Sequence, residues 1–293
     1  MAAESTGQNT LRAENVERMV TGLALARYTA KNAVMTSSSS SWTESYYQET
    51  STPLTAGATA GIKGIPRLAK FPYAEPTWTK QSAYIEKYGL EGVVSYEDAR
   101  TDAFDIISRT LIRISEGVVK AIDDEILNVL SETWDATPAN INDVAIAAGY
   151  EWDSATIANR DPIQDILNAL AEIKKQNYTP NGNALLYLSP TDAANLLGNS
   201  NIRNAGQFYT ADVTKNGQIG GLLGVTIVET NSVKADFALM LIPKICGTWK
   251  AVTPLTVLTI YDEGIKYTIR AFEMGVTQLT NPKAVCIISN TQA

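Results

Sequence analysis

The longest regular pattern of apolar positions in the chain lies within residues 95–135. Apolar side chains recur there at steps of three and four, the spacing that places them on one face of a helix. They are Phe104, Ile107, Leu111, Ile114, Val118, Ile122, Ile126 and Val129. We predict a helix that begins at Thr101 and runs about 50 Å to Trp134. Asp102 and Asp105 lie near its N-terminus, where the helix dipole favours negative charge. Its length suggests a scaffold spine, and the core helix of an α/β enzyme is an equal alternative on length alone.

The residues before this helix predict a shorter helix, a linker and a long hairpin. Residues 11–31 show a modest apolar stripe that predicts a helix, and the five serines 37–41 predict a flexible linker. Residues 42–87 lack a helical period and are rich in Thr, Tyr, Pro and Gly. We predict a long hairpin there, with strands at 62–73 and 76–85. It is too polar to form its own core, so it needs an outside surface and is a candidate contact arm between subunits.

Two helix starts and a series of strands follow the spine. Asp161-Pro162 and Ser189-Pro190 each combine an N-cap residue with proline at the first helical position, and Gly198 ends the second helix. Strands are predicted at 184–188, 225–229, 237–242, 252–261, 265–272 and 285–289, with a tight turn at 262–264. The pattern therefore predicts an α+β fold.

Composition restricts the possible functions. The chain has 293 residues, of which 19% are charged and 45% hydrophobic, as in ordinary globular proteins. It contains neither an apolar run of membrane-spanning length nor a signal-peptide pattern, so we expect a soluble protein made in the cytosol and without membrane contact. The net charge of −7 argues against neutralising nucleic-acid phosphates. It is compatible with a wall that encloses nucleic acid without binding its sequence.

Candidate chemistry is sparse. The chain has no histidine, which removes His-based triads and makes a zinc site improbable. Cys246 and Cys286 lie in apolar runs and are expected to be buried free thiols. Asp123, Asp124 and Glu125 are consecutive on the spine and point to different faces, so we expect a solvated face or a salt bridge between subunits rather than a metal site. We predict no catalytic residue, no metal and no cofactor.

The order of these parts resembles the major capsid proteins of tailed double-stranded DNA phages, which share the Hong Kong 97-type fold. Short motifs distributed in the same order carry the resemblance, from residue 42 to residue 289. They are Val94-Ser95 with Glu97-Asp98, residues 121–127 (AIDDEIL), residues 187–192 (YLSPTD), residues 223–228 (LGVTIV), and Ile269-Arg270-Ala271 with Val276 and Pro282-Lys283-Ala284.

The resemblance implies a structural subunit that assembles as hexamers and pentamers into an icosahedral shell around double-stranded DNA, in the virion. It implies an N-terminal arm (1–41), an extended loop (42–87), a peripheral domain (88–158 and 251–293, whose C-terminal end is a candidate to return to the axial domain) and an axial domain (159–250). Scaffold, portal and decoration proteins are the implied partners, and synthesis takes place in the host cytoplasm. Aromatic residues of the loop are the candidate contacts between subunits. They are Trp42, Tyr46, Tyr47, Phe71, Tyr73, Trp78 and Tyr84.

Two alternatives stay open at this point. An encapsulin-type nanocompartment is built on the same fold, and a soluble α/β enzyme or binding domain is a more distant possibility. Some relatives have a long N-terminal scaffolding region, whereas only about 40 residues precede the loop here, which favours a separate scaffold protein. Some relatives also form Lys–Asn cross-links. Lys63, Lys70 and Lys80 offer an amine, but no motif identifies their partners.

Overall fold

Two β-sheets and one long helix form the framework of the chain. The computed structural model describes residues 20, 28–49, 65–70, 78–101, 106–200, 202 and 221–293. Its helices are α1 (Ala30–Ala33), α2 (Tyr96–Thr101), α3 (Ile106–Leu130), α4 (Pro162–Lys175) and α5 (Pro190–Gly198), with single 3-10 turns at Ile157–Asn159 and Pro282–Ala284. Its strands are β1 (Met35–Ser38), β2 (Thr43–Glu49), β3 (Trp78–Tyr84), β4 (Glu86–Ser95), β5 (Asn142–Ala145), β6 (Ala184–Leu188), β7 (Gly221–Leu222), β8 (Val225–Glu229), β9 (Phe237–Leu241), β10 (Gly247–Asp262), β11 (Lys266–Leu279) and β12 (Val285–Ser289).

The strands form one sheet of four, one of six and a separate pair. The four-stranded sheet has the order β1-β10-β11-β4, and the six-stranded sheet has the order β5-β12-β9-β6-β8-β7. In the first, β10 and β11 form a long antiparallel hairpin whose turn includes Gly264 at φ 69°. The pair consists of β2 and β3, which run antiparallel. Mixed parallel and antiparallel pairing with helices between strands confirms the predicted α+β class.

The helix α3 is the predicted spine, and its apolar face is confirmed where the structure describes it. Leu111, Ile114, Val118, Ile122 and Ile126 are all buried. The helix packs on β4 and β11 of the four-stranded sheet. Its described part spans about 37 Å, and it ends at Leu130 rather than at the predicted Trp134. Three consecutive residues with positive φ, 132–134, then turn the chain away before the predicted end.

Local helix signals after the spine are also confirmed. The Asp161 side chain accepts a hydrogen bond from the Gln164 backbone N–H, and the Ser189 hydroxyl oxygen accepts one from that of Asp192. The Gln164 side chain does not return a bond to the backbone of Asp161, as in a full capping box, but donates to Asn168. The strands predicted at 184–188, 225–229 and 285–289 have the observed bounds.

Several predictions before the spine are wrong. The serine linker is not a linker throughout, since residues 35–38 form β1 and pair with β10 in parallel. Thr101 does not begin the spine but lies at the end of α2, and the Ser95 hydroxyl oxygen accepts from the Asp98 backbone N–H at the start of α2. The strand predicted at 62–73 is contradicted at 65–70, which is a turn with Leu68 at φ 65°. The helix predicted at 11–31 lies mostly outside the described residues.

The prediction of a solvated or subunit-bridging acidic cluster on the spine is wrong for Asp123. This side chain is buried and accepts hydrogen bonds from the backbone N–H groups of Thr29 and Lys31. Burial raises the pKa of Asp123, and the bonds from Thr29 and Lys31 act in the opposite direction. The carboxylate therefore holds a distant segment of the same chain in place.

Both cysteines are buried free thiols, as predicted. Burial raises the pKa of Cys246 to about 12 and also raises that of Cys286. Because the thiolate is the reactive form, we expect neither side chain to react with Ellman's reagent at pH 8 in the folded protein. Both should react within minutes in a denaturant. Rapid release of thionitrobenzoate from the native protein would contradict the buried placement.

Candidate inter-subunit contact surface

The strands β2 and β3 form a two-stranded antiparallel hairpin that is separate from the two larger sheets. Its register pairs Thr43 with Tyr84 at one end and Glu49 with Trp78 at the other. Directly opposed residues of an antiparallel pair lie on the same face, and faces alternate along each strand. The hairpin therefore has two distinct faces.

One face carries exposed aromatic rings, and we call it the outer face. The exposed fractions of the residues are 61% for Tyr47, 54% for Trp78 and 72% for Tyr84. Lys80 lies opposite Tyr47 and Ser82 lies opposite Ser45 in the same register. Aromatic side chains contribute much of the binding energy of protein interfaces when they are buried there. Exposed rings grouped on one face of a hairpin therefore indicate a surface that a partner covers.

The other face of the hairpin leans on the chain's own body. Gln48 is buried, and Glu44 and Tyr46 are half-buried. Burial raises the pKa of Tyr46, and a backbone hydrogen bond at Leu279 of β11 partly opposes this rise. One face of the hairpin is thereby held along β2, and the other face is left for another partner.

An ion pair strengthens this anchoring. Lys250 Nζ on β10 lies 3.0 Å from Glu44 Oε2, and the Ser39 hydroxyl also donates to Glu44. Hydrogen bonds from Ser39 first and Lys250 second lower the pKa of Glu44. The sequence prediction missed this pair, since more than two hundred positions separate Glu44 from Lys250 and neither belongs to a recognisable motif.

Five of the seven predicted contact residues lie within the described residues, and the structure gives them different positions. Tyr47, Trp78 and Tyr84 share the outer face, whereas Tyr46 lies on the opposite one. Trp42 precedes β2, is 66% exposed, and its carbonyl oxygen accepts a hydrogen bond from the Ile85 N–H at the hairpin base. Two further candidates lie outside the described residues: Phe71 and Tyr73.

The described part of the chain contains neither a metal-binding cluster nor a membrane-spanning helix. It brings no three Asp, Glu or Cys side chains into an arrangement that could hold a metal ion. Within the same ranges, no helix combines the length and apolarity needed to cross a bilayer.

Comparisons with solved structures identify the fold. The chain is similar to a capsid structure of the cyanophage P-SCSP1u, with a TM-score of 0.65, 11% identity and coverage of 89% of this chain and 88% of that one. It is similar to a structure from Mycobacterium phage Che8, with a TM-score of 0.61, 17% identity and coverage of 91% and 93%. A virus-like particle from Pyrococcus furiosus gives a TM-score of 0.63 at 12% identity, with coverage of 94% and 98%. The fold is that of shell-forming capsid proteins, the Hong Kong 97 type.

Comparison of the sequence with protein families identifies the family of the chain. The family model described as phage capsid protein matches residues 78–288, most of the chain. No curated protein matches it. The chain belongs to the phage capsid protein family, and it is a structural major capsid protein.

Proposed function

We propose that this chain is the repeated subunit of an icosahedral phage shell that encloses double-stranded DNA, and that it assembles as hexamers and pentamers. The observation that carries the proposal is the match of residues 78–288 to the phage capsid family, which begins at the first residue of β3 and so includes one strand of the hairpin. The exposed outer face of that hairpin supports contact with a neighbouring subunit.

In this proposal, Trp42, Tyr47, Trp78 and Tyr84 are the contacts to the neighbouring subunit. The rings of the last three lie on one face of a hairpin whose other face is held by Tyr46 and Glu44. A contact arm anchored in this way presents its rings without ordering a loose segment on binding, which lowers the entropic cost of association. The anchoring therefore supports a role in assembly for the outer face.

The proposal includes the domain assignment from the sequence, and it adds β5 and β12 to the axial domain. Residues 42–87 form the extended loop, 88–158 and 251–293 the peripheral domain, and 159–250 the axial domain, after the arm 1–41. The strand β12 pairs with β9 inside the six-stranded sheet, which supports assigning the C-terminal end of the chain to the axial domain. Its parallel neighbour β5 supports the same assignment for residues 142–145.

The proposed partners are a separate scaffold protein, a portal and decoration proteins, with synthesis in the host cytoplasm and no enzymatic activity. The net charge of −7 supports enclosure of DNA without sequence-specific binding, since an acidic wall does not hold the genome on itself. The encapsulin-type alternative has no better support. A virus-like particle shares the fold, whereas the family match is to phage capsid proteins.

The experiment that tests this function is expression of the full chain with and without its genomic neighbours, followed by size-exclusion chromatography and negative-stain electron microscopy. We expect closed particles tens of nanometres across, because capsid folds bury their contacts only in closed symmetric assemblies. A monomer of about 32 kDa under every condition of co-expression would contradict the proposal. Particles that carry a co-purified enzyme instead of DNA would favour the encapsulin-type alternative.

A further inference from the structure

The hairpin β2–β3 lies outside the apolar core of the chain. Among the described residues that form this core or pack against it, none belongs to β2 or β3. An isolated two-stranded hairpin is at best marginally stable in water, so this one needs contacts with the body of the subunit. Its orientation therefore depends on its two connections to the four-stranded sheet and on the polar contacts between hairpin and sheet.

The two connections are short and together form what we call the corner, residues 39–42 and 85. Residues 39–42 join β1 to β2, and all of them except the first are exposed. On the other side, Ile85 alone joins β3 to β4. The Ile85 N–H donates to the Trp42 carbonyl oxygen at 3.3 Å, so the two connections lie side by side. The corner is therefore a narrow attachment of the hairpin to the sheet.

A single carboxylate, that of Glu44 near the start of β2, bridges this corner. Its Oε2 lies 3.0 Å from Lys250 Nζ on β10, and its Oε1 accepts from the Ser39 hydroxyl. The Ser39 hydroxyl oxygen in turn accepts from the Ser41 N–H at 3.1 Å. The Ser39 N–H donates to the Ala251 carbonyl oxygen of β10 at 2.9 Å, which continues the pairing of β1 with β10. Glu44 thus ties the hairpin both to the corner and to the sheet.

The Glu44–Lys250 pair is better shielded from water than an ordinary surface pair. The exposed fraction is 15% for the Glu44 side chain and 28% for Lys250, against 48% and 39% for Glu91 and Arg270 on the same sheet. Exposed ion pairs contribute little to a conformation. Loss of one partner from a shielded pair costs more, because it leaves an uncompensated charge. Within the described ranges, Glu44–Lys250 is also the one ion pair that joins the hairpin to a larger sheet.

The other contacts of the inner face are polar as well. Tyr46 makes a backbone hydrogen bond at Leu279 of β11, which fixes one point of the hairpin on the sheet. Gln48 is buried, but the bond described for its side chain comes from Gln81 of β3, within the hairpin itself. Glu44 supplies the second fixed point, at the corner. Two fixed points define the direction in which the hairpin leaves the sheet.

We propose that Glu44 and Lys250 are positioning residues that set the angle between the hairpin and the four-stranded sheet, and that this angle sets the size of the closed shell. The second half rests on the proposed function. Because the outer face carries the contact rings, a rotation of the hairpin moves the place at which a neighbouring copy binds. In a closed assembly of identical copies, the same displacement recurs at every contact and changes the curvature of the shell.

The angle is measured on free subunits by double electron–electron resonance between two spin labels. Ser45→Cys places one label on the outer face of the hairpin, and Leu258→Cys places the other on β10. Both positions are exposed and both native thiols are buried. We expect one narrow distance in the otherwise wild-type chain, and a shifted or broader distribution in Glu44→Gln and in Lys250→Met. An unchanged distribution in both variants would overturn the proposal.

The matched control is Glu91→Gln, which breaks the exposed pair with Arg270 on the same sheet and should keep the wild-type distance. The charge swap, Glu44→Lys with Lys250→Glu, should restore a narrow distribution. A swap that stays as broad as the single variants would show that the pair does not set the angle. A thermal unfolding midpoint of Glu44→Gln more than a few degrees below wild type would show that the pair stabilises the body of the subunit instead.

Shell size is measured by negative-stain microscopy and sedimentation velocity of the co-expressed chains. We expect wild type and Glu91→Gln to give one particle size, and Glu44→Gln to give a second size or a mixture of open and closed particles. Uniform Glu44→Gln shells of wild-type size, built from subunits whose hairpin angle has changed, would overturn the link between angle and shell size. A wild-type chain that forms no shell contradicts the proposed function instead, and the distances in free subunits then decide whether the pair sets the angle.

Discussion

A chain carrying Tyr47→Ala, Trp78→Ala and Tyr84→Ala is expected to fold normally and to form no closed shells. All three rings lie exposed on the outer face of the hairpin, so their removal costs the isolated subunit little. At an interface, aromatic anchors of this kind are worth roughly 2 kcal/mol or more each, and every subunit of a shell repeats the loss. Negative-stain microscopy and sedimentation velocity of the co-expressed variant would show free subunits or open fragments.

The matched control is Ser45→Ala with Ser82→Ala, a directly opposed pair on the same face that carries no ring. This variant should assemble as wild type. The thermal unfolding midpoint of both variants, measured on free subunits, should stay within a few degrees of wild type. Closed shells of normal size from the triple aromatic variant would show that the outer face is not the contact surface. Unfolded protein would mean that the rings serve the chain's own stability.

The substitution Gly92→Val is expected to cause a large loss of stability in the framework, about 3 kcal/mol. Gly92 lies on β4 under the spine. An added Cβ would lie 2.4 Å from Thr110 Cγ2 and 2.7 Å from Ile114 Cδ1, so the helix would have to lift from the sheet. The higher strand propensity of valine, at most about 1 kcal/mol, does not offset this. Urea unfolding of free subunits, followed by far-UV circular dichroism, gives the free energy of unfolding.

Gly198→Ala is the control for the loss of a glycine as such. A Cβ there meets nothing within 4 Å, and the residue ends α5 without a positive φ. We expect it to leave the free energy of unfolding within about 0.5 kcal/mol of wild type or to raise it slightly. Similar losses in both variants would refute close packing of the spine on β4.

The parts of the fold that could be predicted are those specified by neighbouring residues. The buried face of α3 follows from spacing alone, because side chains three and four positions apart lie together on a helix. The caps at Asp161 and Ser189 follow from bonds that reach only three residues along the chain. The C-terminal end of α3 could not be obtained in this way, since the left-handed turn at 132–134 has no glycine to signal it.

The parts that could not be predicted depend on residues far apart in the sequence. Serines have little preference for strands. Ser37 and Ser38 nevertheless pair with β10, opposite Lys250 and Ala251. They can do so because the backbone hydrogen bonds of a sheet edge do not depend on the side chain. The sequence places Asp123 in an acidic surface cluster, because its partners Thr29 and Lys31 lie more than ninety positions away. Local patterns carry no information about such pairs.

The contact surface was predicted in outline only. Aromatic residues in a polar segment correctly indicated where a hairpin lies, and β3 overlaps the strand predicted at 76–85. The partner strand was misplaced, because β2 follows the serine run and joins β3 across a long connection. Which rings face outward depends on this register. The separation of Tyr46 from Tyr47 could therefore not be derived without the structure.

The near continuity of β3 and β4 has a mechanical consequence. Only Ile85 separates the hairpin from β4, and all ten residues of β4 pair with β11. A pull on the hairpin along its length is therefore transmitted directly into β4. It loads the whole ladder of hydrogen bonds with β11 in shear, so that many bonds share the force and none opens first. Tension between neighbouring copies would thus reach the sheet under the spine without stretching a flexible linker.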